Sequence, residues 1–177
     1  LLPFISSFSI QYSNQILSVG GIEGAVEWTK FISSYANFSN LFRLQGDNNW
    51  YQKPYLWSWN YLTNPILIAI SFVFPILAFI APILPKERKE RVMLLFFALL
   101  ALFGVFLAAG AHPPLGGIYV FMMEHLPGFA SFRPAYYKFI PIVYLSFSIL
   151  IGTTVYYLSN KLQKQVSYLF SIFMILL

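Results

Sequence analysis

Apolar residues form three near-continuous runs in this chain, Pro65 to Leu84, Val92 to Ala111 and Phe139 to Leu158, and elsewhere the pattern turns polar or amphipathic. At 1.5 Å per residue each run makes a helix about 30 Å long, which matches the hydrocarbon thickness of a bilayer. The pattern therefore predicts membrane spans at 65–84, 92–111 and 139–158. Pro75 should kink the first, while Pro65 is tolerated in its first turn. A further apolar run over 166–177 is too short to cross and counts as a partial span. The first two spans are joined by Lys86-Glu87-Arg88-Lys89-Glu90-Arg91, a link so short that they must be antiparallel neighbours.

Before the first span, residues 1–63 hold no span-length run and are rich in Ser, Asn, Gln and aromatics, as expected of a water-facing or interfacial segment. From Ile22 to Leu44 the apolar residues recur at spacings of three and four: Ile22, Ala25, Val26, Trp28, Phe31, Ile32, Tyr35, Phe38, Leu41, Phe42. Glu23, Glu27, Lys30 and Asn37 fall largely on the other side, so one amphipathic helix is predicted. The second polar segment, 112–138, opens with Pro113-Pro114, which should stop the preceding helix, and Gly116-Gly117, which allows a tight reversal or close backbone approach. Ile118, Phe121, Met122 and His125 then recur at helical spacing until Pro127-Gly128, a helix too short to span and hence interfacial or re-entrant. The fold class that follows is an all-α integral membrane chain: a multi-pass helical bundle fragment whose outer-face loop carries a short helix. It divides into an interfacial segment 1–63 and a transmembrane region 64–177.

Composition agrees: 58% of residues are hydrophobic and only 10% charged, against about 25% charged in a soluble domain. The net charge of +5 would suit an acidic partner, but the basic residues sit beside apolar runs, so topology accounts for them and no nucleic-acid partner is expected. Four Lys or Arg fall in the six residues 86–91 and two in 160–165, whereas 112–138 holds only Arg133 and Lys138. By the positive-inside rule loops 86–91 and 160–165 are cytoplasmic and segments 1–63 and 112–138 extracytoplasmic, with the plasma membrane as the expected location. The absence of cysteine excludes disulfides and thiolate metal sites. The chain begins on Leu1 without Met and stops in an incomplete span, so it is expected to be an internal or C-terminal part of a larger multi-pass protein, with the rest of that polypeptide as a partner beside the bilayer.

Candidate chemistry gathers in Gly110 to Phe139, which holds both histidines, Glu124, Arg133 and Lys138. An arginine fork and a lysine five residues apart, just before a span, suit an anion at headgroup depth. Alternatively both snorkel and anchor that span. His125 and His112 can each be ordinary interfacial imidazoles, and with thirteen residues and one carboxylate between them they do not form a metal site. Upstream, the turn Gly46-Asp47-Asn48-Asn49 leads into Trp50, Tyr51, Tyr55, Trp57, Trp59 and Tyr61. These rings suit an interfacial belt or, in Trp50 and Tyr51, a platform on which a sugar stacks.

The run GAHPPLGGIYVFMMEHLPGFASFRPAYYKF resembles the late transmembrane region of multi-pass GT-C type glycosyltransferases, the arabinofuranosyltransferase-like proteins, in which LPGF, FR and KF follow one another in an outer loop. NLFRLQGDNNWY, Asn40 to Tyr51, resembles a segment that such proteins carry ahead of the helix pair. The likeness covers roughly residues 40–158. It departs at Arg133-Pro134-Ala135, where an acidic residue and a proline would be expected after the arginine, so it supplies no carboxylate partner there.

The resemblance implies transfer of a sugar from a polyprenyl-phosphate-linked donor at the outer face. Arg133 and Lys138 would bind the donor phosphate, with His125 and Tyr137 beside them. A general base would come from an acidic residue of the first outer loop, outside this stretch; Asp47 and Glu124 are the only acidic candidates near the expected site. No cofactor is implied within the chain, and a divalent metal is left open only for a full-length protein. A transporter or flippase of an anionic lipid, or a noncatalytic membrane scaffold, are the competing expectations. Uncharged spans speak against the transporter.

Overall fold

A computed structural model of the chain describes residues 16–18, 20–51, 56–161, 172 and 175. Most of the partial span at 166–177, Tyr55 and most of loop 160–165 lie outside the described residues. Among those described the chain is all-helical, without strands, and three helical stretches are long and apolar enough to cross a membrane: Pro65–Ile83, Arg88–Ala109 and Ala135–Lys161. It is an integral membrane protein.

The helices are α1 (Gly21–Ile32), α2 (Phe38–Phe42), α3 (Leu56–Thr63), α4 (Pro65–Ser71), α5 (Val73–Ile80), α6 (Arg88–Ala109), α7 (Gly116–His125) and α8 (Ala135–Lys161), with 3-10 turns at Asn48–Tyr51, Ala81–Ile83 and Phe129–Phe132. They belong to two compact units, one of Leu1–Thr63 with Val105–Ile140, the other of Asn64–Gly104 with Pro141–Leu177. The N-terminal segment and the loop at 112–138, remote in sequence, thus share one unit.

In the second unit, Asn64 caps α4 by accepting from the backbone N–H of Ile66 at 2.9 Å, and Pro65 occupies the first turn, where a missing N–H costs nothing. The first span breaks at Phe72, between α4 and α5. The break is Pro75's effect delivered one turn upstream, because the proline can offer no N–H to the carbonyl of Ser71 and its ring crowds it. At the far end the helix tightens: Ala81 donates to Ala78 rather than Leu77. The freed Leu77 carbonyl accepts instead from the hydroxyl of Thr154 on α8 at 2.7 Å, in a wholly buried position. In lipid such a bond between helices is worth about 0.6 kcal/mol on average and up to about 1.7. Thr154→Val is expected to lower thermal stability in detergent by an amount in that range, while Thr154→Ser, which keeps the hydroxyl, should not.

Gly104 lets α6 approach α8, since a Cβ there would lie 3.0 Å from Val143 Cγ2. Tyr157 near the end of α8 donates to Glu90 Oε2 in the first turn of α6 at 2.5 Å. The N-terminal end of α6 and the C-terminal end of α8 therefore lie together.

Three sequence expectations need correction. Loop 86–91 is shorter than expected, because Arg88, Lys89, Glu90 and Arg91 already belong to α6, with Glu90 favourably placed in its first turn. Pro113-Pro114 does not stop α6. Gly110 does, four residues after Phe106, with φ of 55° and so little room that a Cβ would stand 2.6 Å from Ser33 Oγ and 2.8 Å from Ala135 Cβ. The helix expected over 22–44 is two helices, since α1 ends at Ser33 and Asn37 caps α2 by accepting from the N–H of Asn40 at 2.8 Å.

The face that α1 buries also differs. It is Ala25, Val26 and Thr29, whereas Trp28 and Phe31 are exposed. Small side chains win because α1 packs closely on α7, whose Tyr119 and Met123 fill the space above them together with Leu107, Ala130 and Ala135.

Candidate functional site

The first unit brings residues 40–51 against the start of α8. Leu44 adopts a left-handed φ of 63°, and Gly46 passes beneath Tyr136 so closely that a Cβ would fall 3.0 Å from its ring and 2.6 Å from Leu41. Tyr136 donates to the carbonyl of Leu44 at 3.2 Å. The next residue makes a tighter link across 90 positions of sequence: Tyr137 donates to Asp47 Oδ1 at 2.5 Å and accepts from Asn49 Nδ2 at 2.6 Å. The backbone N–H of Asn49 also donates to Asp47 Oδ1, at 2.9 Å, closing an Asx turn. With two donors on one oxygen, Asp47 is engaged in holding this clamp together.

Arg133 is positioned by two elements, α1 and α7. Its carbonyl accepts from Thr29 of α1 at 3.1 Å, and the preceding carbonyl, that of Phe132, accepts from Tyr119 of α7 at 2.7 Å. Burial holds the Tyr119 phenol well above its ordinary pKa, so it stays a donor. The guanidinium lies over the ring of Trp28, 5.2 Å from its centroid, an attraction between cation and ring face. Lys138 is exposed on the first turn of α8. Both cations therefore lie at the N-terminal end of a helix of 27 residues, whose dipole favours an anion.

Other candidates stand apart from this arrangement. His125 stacks on Phe121 with centroids 4.1 Å apart and its Nδ1 lies 3.0 Å from the Phe121 carbonyl, both contacts within α7. Glu124 is exposed beside it, near the C-terminal end of α7. Tyr51 lies flat against Tyr35, centroids 3.6 Å apart and planes 2° apart, so one of its faces is already covered. Trp50 is 41% exposed and is the better platform of the two. Among the described residues, no three of His, Cys, Asp and Glu are grouped to hold a metal ion.

Arg43 was not among the residues singled out by sequence. It is 4% exposed and donates to the Tyr61 carbonyl at 2.9 Å with its guanidinium 5.9 Å from the Tyr61 ring. Its field acts on Tyr51, whose pKa is pushed up to about 12 by burial foremost, with Arg43 opposing, Tyr35 adding and the bond from Asn40 opposing. The phenol is thus protonated more firmly in the folded protein than at its ordinary 10. That contribution to stability is fully present below pH 10 and is lost as pH rises toward 12. An alkaline unfolding series should show this loss in the wild type and a smaller one in Tyr51→Phe.

No protein-family model matches the chain, and neither a curated protein nor a solved structure matches it.

Proposed function

We propose that the first unit is the donor-binding part of a membrane glycosyltransferase, in which Arg133 and Lys138 hold the phosphate of a polyprenyl-phosphate-linked sugar at the outer face of the plasma membrane. The observation that carries this reading is the contact between Asn40–Tyr51 and Arg133–Lys138. These are the two stretches in which the chain resembles the GT-C type enzymes, and the Tyr137 hydroxyl ties one to the other through Asp47 and Asn49. A phosphate at the N-terminus of α8 would meet backbone N–H groups and two cations, which stabilise the charge that grows on the leaving group as the sugar departs. Trp50, on the same turn as Asp47, would offer its exposed ring to the sugar. The proton acceptor for the incoming hydroxyl is assigned to a residue outside this chain, since Asp47 is engaged as a clamp and Glu124 lies on α7.

Transport fits less well: the buried polar residues of the spans, Ser71, Ser146 and Thr154, all donate to backbone carbonyls, and none is charged. Full-length protein in liposomes, supplied with a radiolabelled polyprenyl-phosphate sugar and a simple glycoside acceptor, should transfer the label. Movement of the lipid between leaflets without any transfer would instead favour a flippase.

A further inference from the structure

We infer that the end of the second unit at which α6 begins and α8 ends binds the headgroup of an anionic phospholipid, through Lys86, Arg88, Lys89 and Lys161. The inference concerns that unit alone and stands whether or not the chain belongs to a transferase. Lys86, Arg88, Lys89 and Arg91 fall within six residues, with only Glu87 and Glu90 among them. The end of α8 adds a fifth cation. Gly104 lies against Val143 and Glu90 against Tyr157, so α6 and α8 run antiparallel, and the same register puts Lys161 level with Lys86 and Glu87. Lys161 follows Tyr157 by four residues, hence on the same face of α8. Five cations thus meet two carboxylates, and one of these, Glu90, is already bonded to the Tyr157 hydroxyl. Arg91 donates to the Pro85 carbonyl at 3.1 Å. Lys86, Arg88, Lys89 and Lys161 are exposed, and among the described residues no hydrogen bond or ion pair engages them.

Nothing within α6 favours this gathering. Arg88, Lys89 and Arg91 stand in the first turn of a helix of 22 residues, at the positive end of its dipole, where a cation is disfavoured. Topology asks for cations on one side of a membrane, but not for three of them in that turn with Lys161 brought against them. An anion held from outside offsets both the dipole and the mutual repulsion. The side chains directly below the cations say which anion. Spanning helices end here, so the patch lies at the bilayer surface, and along α6 it is followed by Val92, Met93 and Phe96, apolar and 51% to 60% exposed. Tyr156, exposed near the end of α8, is the amphipathic ring expected at headgroup depth. A phospholipid matches both halves: its phosphate meets the cations, and its acyl chains lie along Val92 and Phe96, one turn apart on the same face. A soluble anion would use only the first half.

The chain contains no cysteine, so Phe96→Cys and Phe103→Cys, both at exposed positions of α6, can each carry a single bimane fluorophore. The first reports on the leaflet next to the cations, the second on the opposite leaflet. The full chain would be reconstituted into phosphatidylcholine vesicles containing dibrominated phosphatidylglycerol or dibrominated phosphatidylcholine, whose bromines quench a fluorophore in contact with them. At position 96 the apparent association constant for phosphatidylglycerol should exceed that for phosphatidylcholine by about tenfold. That preference should fall toward unity at about 0.5 M NaCl and in the variant Lys86→Gln/Arg88→Gln/Lys89→Gln/Lys161→Gln, and none is expected at position 103. Equal quenching by the two lipids at 96 would overturn the inference in favour of a solvated charged face. So would a preference that survives high salt or the folded fourfold variant, or one that is as large at 103 as at 96. The salt series, run with all cations in place, decides the matter even if the fourfold variant fails to fold. Loss of the preference in Arg133→Gln/Lys138→Gln but not in the fourfold variant would assign the lipid to the first unit and overturn the inference as well.

Discussion

Replacing Tyr119 with alanine is expected to destabilise the protein by about 3–5 kcal/mol, the usual cost of emptying a buried aromatic site. Tyr119 has no solvent exposure and sits in the cluster that joins α1, α7, the ends of α6 and α8 and the turn at 129–132. Its ring meets Phe129 edge-on, with centroids 5.1 Å apart, and its hydroxyl holds the Phe132 carbonyl. Alanine removes all three: the packing, the ring contact and the bond, and it leaves a carbonyl without its donor. Tyr119→Phe separates the parts, since it keeps the ring and should cost about 1–3 kcal/mol for the orphaned carbonyl. Denaturant unfolding in micelles would measure both. A loss below about 1 kcal/mol for the alanine variant would mean that this cluster does not organise the unit.

The second large effect concerns function. With Arg133→Ala and Lys138→Ala combined, affinity for a prenyl phosphate is expected to fall by about a hundredfold, because each charge-assisted bond to a phosphate contributes about 1.5–3 kcal/mol and tenfold corresponds to about 1.4. Partial exposure at headgroup depth puts the expectation at the low end of that range for each cation. The two changes should lower stability by only about 0.5–1 kcal/mol, from the lost attraction between the guanidinium and the Trp28 ring, since Lys138 is exposed and the bonds from Thr29 and Tyr119 that hold the backbone here involve carbonyls. Arg133→Lys would retain charge but lose the fork and the stacking on Trp28, and an intermediate affinity is expected.

Much of the fold was legible because lipid imposes a strict rule on sequence. A span must be apolar for about twenty residues, and each of the three runs shows it; the ends moved by a few residues because polar first turns such as Arg88–Arg91 belong to a helix while carrying no apolar signal. The break at Phe72 follows from Pro75, although proline marks the break only to within a turn. The first unit was harder to read. Apolar periodicity in 22–44 placed Trp28 and Phe31 inside, yet the closeness of α1 and α7 selects Ala25, Val26 and Thr29, and nothing in the periodicity of one helix reports the partner's bulk.

The candidate site divides in the same way. Arg133 and Lys138 stood out as the only lysine and arginine between the second and third spans. Their support did not: Tyr137 reaches Asp47 and Asn49 across about 90 positions and Arg43 reaches Tyr61 across 18, and local pattern carries no trace of such pairing. Gly46 illustrates the limit. It reads as an ordinary turn glycine, and only Leu41 and the ring of Tyr136, pressed against it from two sides of the sequence, explain why no side chain fits there.

The most direct test of the central claim compares two ligands that differ by one group. Full-length protein in nanodiscs would be titrated with a fluorescent prenyl phosphate and with the matching prenol, and again as the Arg133→Ala/Lys138→Ala variant. A phosphate site predicts that the wild type binds the phosphate far more tightly than the alcohol and that the variant loses this preference. Equal binding of the two ligands by the wild type, or a preference that survives in a folded variant, would contradict it.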